Sequence, residues 1–160
     1  MANTPSGSRL IAIDLDATIG RATPDIEHER AVAIFDLIEE NDFQPVGLAP
    51  GQFRLKLSLV DKRLVFDIRD AADAPLHALV LALGPFRRLI KDYHMVVQSH
   101  EEAVAGGMND SAIQAIDMGR RGLHNEGAEL LSERLAGRVA LDFETARRLF
   151  TLVCALHQRI

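Results

Sequence analysis

The chain is predicted to fold as α+β, a mainly antiparallel sheet of about four strands with four helices in a single layer on it, in the order β-α-β-β-β-α-α-α. Three observations carry this expectation. Phe53-Arg54-Leu55-Lys56-Leu57-Ser58-Leu59 alternates strictly between apolar and polar residues, which marks a strand with one face in water. Short connections lead from it into further apolar strands, and they favour an antiparallel meander. From Pro85 onward the apolar period changes to that of helices.

The elements follow in chain order. Leu10 to Asp14 is a short apolar run with β-branched residues, expected as a strand inside the sheet. Thr23-Pro24-Asp25 supplies an N-cap, a proline at the first helical position and an early acid. Ala31, Ile34, Phe35 and Ile38 then recur at helical spacing and are expected to form the buried face. Val60-Asp61-Lys62 is the turn after the alternating strand, Leu64 to Ile68 is its return, and Pro75 to Leu83 is the next strand. A second helix, ending at Gly106-Gly107, carries Leu89, Ile90, Tyr93, Val96 and Val97 on one side. Asn109 or Asp110 caps a third, with Ile113, Ile116, Leu123, Leu130 and Leu131 as its stripe and Gly119, Gly122 and Gly127 as points of kinking or close packing. Gly137 ends that helix. Asp142 caps a final one with Ala146, Leu149, Phe150, Val153 and Leu156 inward. One domain over residues 1–160 is expected, with the first eight residues flexible.

A chain of 160 residues can bury about 70% of its unfolded surface without disulfides or a structural metal. Its 48% hydrophobic and 26% charged content is that of an ordinary globular protein. A net charge of −5 opposes sequence-independent attraction to phosphate backbones, and 5% aromatics leave little for base stacking, so nucleic acid is disfavoured. No apolar run approaches a membrane span and no secretory signal opens the chain, so a cytoplasmic protein is expected. Cys154, the sole cysteine, lies in an apolar helical run and reads as an inert core thiol.

Two constellations could carry chemistry. On the third helix, Asp117, Arg120, Arg121, His124, Asn125 and Glu126 place carboxylate, guanidinium, imidazole and amide groups at helical spacing beside small residues. This is the candidate binding site. His124 would carry a proton and Arg120 or Arg121 would clamp an anion, while no catalytic residue is assigned. The bland counterpart is an ordinary ion pair between Asp117 and Arg121. The clusters Arg87-Arg88-Lys91, Arg120-Arg121 and Arg147-Arg148 would form an anion pocket if they converged, and otherwise would pair with Glu126, Glu129, Glu133 and Glu144.

The other constellation is Asp14-Leu15-Asp16-Ala17-Thr18 at a strand end, which resembles the first motif of haloacid-dehalogenase-type phosphatases. The resemblance would make Asp14 the nucleophile and Asp16 the acid and base, both near Mg²⁺. The remaining motifs of that family do not follow. Ser99 and Asp110 lie in helical sequence without a lysine between them, and a meander conflicts with that family's parallel sheet. His28 and His77 are isolated, His94 and His100 do not share a helical face, and no metal or cofactor motif occurs.

Across nearly its whole length the chain also resembles the uncharacterised protein family numbered 0262 in the UPF series. The segments that carry this are Ile13 to Asp16, Asp25 to Phe35, Arg63 to Asp67, Ile90 to Tyr93, Ala115 to Gly127 and Thr145 to Cys154. The resemblance implies a small cytoplasmic protein of α-proteobacteria, with no activity or catalytic residues to carry over. The function expected is a non-catalytic binding or regulatory role through the face around Arg120 to Glu126, with a second copy or another protein as partner. The alternative is an enzyme acting on a phosphorylated or other anionic small molecule.

Overall fold

The computed structural model describes residues 6–157. β1 (Arg9–Leu15) leads through a 3₁₀ turn at Ala17–Ile19 into α1 (Pro24–Glu39). β2 (Phe43–Pro45), β3 (Gln52–Val60), β4 (Arg63–Asp70) and β5 (Pro75–Ala82) follow. The chain then forms α2 (Arg87–Ala105), α3 (Asp110–Leu135), β6 (Val139–Leu141) and α4 (Phe143–Leu156). β3, β4 and β5 are the antiparallel meander, turning between β3 and β4 at Asp61 and Lys62, whose positive φ angles of 50° and 60° suit a two-residue hairpin. β1 joins β3 in parallel, giving the order β1-β3-β4-β5.

Strand alternation sorts the sheet into two faces. Phe53, Leu55, Leu57, Leu64, Phe66, Ile68, Leu79 and Leu81 are buried, whereas Arg54, Lys56 and Arg69 stand on the other side. α4 is the most deeply buried helix, with Leu149, Phe150, Leu152, Val153 and Cys154 fully enclosed, and α1 and α3 pack on either side of it. Its start is fixed by Asp142, which accepts the Thr145 N–H at 2.8 Å. α3 approaches α4 so closely that a Cβ on Gly127 would lie 2.5 Å from the Phe150 ring, so the glycine there serves helix packing.

Several expectations are corrected. β1 lies at the sheet edge rather than inside it, because Asn41 takes the place of a neighbouring strand. Its Oδ1 accepts from Leu10 N at 2.7 Å and its Nδ2 donates to Leu10 O at 3.0 Å and to Leu37 O at 2.8 Å. β2 and β6 form a small antiparallel ladder that was not predicted, since three residues are too few to show a period. The buried face of α1 is Arg30, Ala33 and Leu37, with Ile34 and Ile38 partly covered, while Ala31 is exposed and Phe35 is 66% exposed. An arginine in an inward position conceals that stripe from an apolar template. Arg30 is tolerated because Nε donates to Ala155 O at 2.9 Å and Nη1 to Gly20 O at 2.9 Å, with Glu27 3.1 Å away.

Of the first eight residues, expected to be flexible, residues 1–5 lie outside the described chain. Ser6 N donates to the Asp42 carboxylate, and Ser8 is buried with its hydroxyl on Gln44 and its Oγ accepting from Gly51 N at 3.0 Å. Among the described residues no helix is long and apolar enough to cross a membrane.

Candidate functional site

The six polar residues singled out on α3 divide between two sides of the helix. Asp117 sits between two guanidinium groups, 2.5 Å from Arg120 and 3.1 Å from Arg121. The hydrogen bond from Arg120 holds its carboxyl below the ordinary range. Arg120 and His124 turn inward, while Arg121, Asn125 and Glu126 are exposed. Glu126 reaches across to Arg88 of α2 at 2.8 Å. Asp117 joins the two sides through its pairs with Arg120 and Arg121.

His124 is packed among neighbours. Its ring centroid is 5.0 Å from that of Tyr93, and Nε2 is 3.2 Å from Thr151 Oγ1. The Thr151 hydroxyl proton is given to Arg147 O at 3.1 Å, so Thr151 accepts and His124 Nε2 is the donor. Burial, reinforced by Arg147 and Arg120, pushes the imidazole down to about 4, and it is neutral at pH 7.

A concavity lies beside this cluster, between α1 and α2. It is a groove of about 660 Å³ whose floor includes Thr151 and Ala155 of α4 and which Arg120 reaches from α3. His28, Glu29, Val32 and Asp36 form the α1 wall, and His94, Val97, Gln98 and Glu101 the α2 wall. It stays open because nothing in the described chain covers the outer part of the hairpin made by α2 and α3. Beyond Lys91, α2 buries only Ala103, and α3 buries nothing ahead of Gly127. Two buried polar atoms at the groove, His94 Nε2 and Arg120 Nε, have no hydrogen-bond partner among the described residues.

Asp14 to Ala17 lie away from the groove, lining a cavity of about 380 Å³ with Arg54, Lys56 and Arg69. Asp16 accepts the Thr18 N–H at 3.0 Å as the cap of the 3₁₀ turn and lies 3.5 Å from Lys56 Nζ. The Thr18 backbone N–H is the main cause of its lowered carboxyl pKa. Thr18 Oγ1 accepts from Leu59 N at 3.0 Å, tying the turn to β3. Among the described residues no three His, Cys, Asp or Glu side chains gather as metal ligands.

Comparison with known proteins adds one decisive observation. The family described as an uncharacterised protein family, UPF0262, matches residues 7–159. The chain belongs to the UPF0262 family. A UPF0262 protein of Rhizobium leguminosarum bv. trifolii is 58% identical over 151 residues, covering 94% of this chain and 96% of that one. UPF0262 proteins of Chelativorans sp. and Agrobacterium fabrum are each 56% identical, the first over 95% of this chain and 94% of its own, the second over 94% and 96%. No solved structure matches the chain. Membership of UPF0262 brings a family with no stated activity, so the geometry carries the functional argument.

In this UPF0262 member arginines of the basic clusters are drawn to separate acids. Arg88 pairs with Asp92 and Glu126, Arg147 with Glu144, and Arg148 with Glu40, while Arg87 lines a separate cavity beside Lys62 and His157. Sequence reading found Arg120 but missed His28, Asp36, His94 and Glu101. A trace of the groove exists in the spacing His28-Val32-Asp36 and Tyr93-Val97-Glu101, two ridges of step four. Nothing local says that these ridges, far apart in sequence, face one another.

Proposed function

We propose that this UPF0262 member is a cytoplasmic, non-catalytic binding protein whose working surface is the groove between α1 and α2, filled by a segment of a protein partner. The observation that carries this is the groove itself, of about 660 Å³, with Val32 left 44% exposed on its wall and two buried donor-capable atoms unpartnered beside it. The working face thus shifts from the outer side of α3, where Arg121, Asn125 and Glu126 stand in solvent, to the side from which Arg120 reaches the groove. The Asp14 and Asp16 cavity supports a reaction less well, since Asp16 is committed to capping a turn.

The test is co-purification from an α-proteobacterial host with tagged wild type and with a Val32→Glu, Gln98→Trp double variant. Both positions are exposed, so the variant should keep the circular dichroism and melting point of wild type. A protein recovered by wild type and lost from the folded variant is the expected result. Recovery of the same proteins by both would overturn the proposal.

A further inference from the structure

Taking the groove as a partner site, we infer that its occupant is a basic amphipathic helix. Shape is the first argument. The lining residues of α1 and α2 fall in ridges of step four, with Val32 and Val97 between polar positions. Such ridges receive the side-chain ridges of a third helix laid between them. The floor is small where the new helix would come closest, at Ala33 and Ala155.

Charge is the second. Asp36 and Glu101 bring a carboxylate to each wall, whereas the guanidinium at the groove, Arg120, is already matched by Asp117 at 2.5 Å. An occupant with Lys or Arg flanking its apolar face is attracted, and one with carboxylates there is repelled. The same argument sets aside a second copy of the chain seated through its own exposed apolar helix. The Val32 and Phe35 strip of α1 runs beside Asp36, Glu39 and Glu40, and docking it would set carboxylate against carboxylate.

The probes are two fluorescein-labelled synthetic helices with the same leucine face, one with lysine and the other with glutamate on the flanks, titrated by fluorescence anisotropy. The lysine helix should bind, and its dissociation constant should rise by about tenfold or more in Asp36→Lys with Glu101→Lys, and again with added salt. The glutamate helix should not bind. Equal binding of both helices, or lysine-helix binding indifferent to charge reversal, overturns the inference. If neither helix binds while the Val32→Glu, Gln98→Trp variant still loses its co-purifying protein, the groove stands and the basic helix falls. A dimer in sedimentation that Val32→Glu disperses would assign the groove to a second copy and overturn the inference equally.

Discussion

Replacing Gly127 by alanine tests how α3 seats on α4. The new methyl carbon would lie 2.5 Å from three atoms of the Phe150 ring, where carbon atoms in contact prefer about 3.5 to 4.0 Å. The ring would have to withdraw by about 1 Å. It has little room, being fully buried and edge-on to Tyr93 at 6.1 Å between centroids. Overpacking of this kind costs about 1–3 kcal/mol, and the enclosed ring places the site near the upper end, about 3 kcal/mol. Alanine returns about 1 kcal/mol through helix propensity, leaving a net loss of about 2 kcal/mol. Gly122→Ala is the internal control, because nothing lies within 4 Å of its added Cβ and only the propensity gain applies. Thermal unfolding followed by circular dichroism should show Gly127→Ala melting about 4–8 °C lower and Gly122→Ala about 2–4 °C higher than wild type. A Gly127→Ala protein as stable as wild type would refute the close approach of α3 to α4.

Three further outcomes follow from buried polar groups. Arg30→Met keeps most of the volume but leaves the carbonyls of Gly20 and Ala155 without their donor, and should lower stability in urea by about 3 kcal/mol; a loss below about 1 kcal/mol would show that the arginine does not tie α1 to α4. His124 and His157 are both depressed from 6.5 to about 4, chiefly by burial, so the unfolded chain binds protons first as pH falls. Stability is therefore full above the unfolded value and declines from about pH 6.5 to about pH 4, by about 1 kcal/mol for His124 once solvent access is allowed for. His124→Asn should flatten that decline in urea titrations at stepped pH, and an unchanged slope would contradict the assignment. Cys154 is fully buried with its thiol pushed up by burial, so a chromogenic disulfide reagent should label it only on unfolding; fast labelling of the native protein would contradict the packing of α4.

The fold was legible wherever one period ran long enough. The alternation from Phe53 to Leu59 located β3 within a residue at each end, and the inward set Ala146, Leu149, Phe150, Val153 and Leu156 of α4 is buried throughout. Legibility failed where polar side chains stand in for backbone or core. Asn41 closes the edge of β1 by imitating a strand, and Arg30 fills an inward position of α1, so neither matches an apolar pattern. Of the residues lining the groove, Arg120 alone was among the candidate binding residues read from the sequence. The other residues of α3 were grouped by helical spacing alone, which cannot distinguish the side facing Thr151 from the side facing water. His28 and His94 looked isolated because each helix contributes only half of the groove.

The most direct measurement is site-specific photo-crosslinking in an α-proteobacterial host, with a photoreactive phenylalanine at Gln98 inside the groove or at Ala78, exposed on β5 away from it. A discrete protein adduct from position 98 and none from position 78 is the predicted result. No adduct from position 98, or the same adduct from both positions, would contradict a partner seated between α1 and α2.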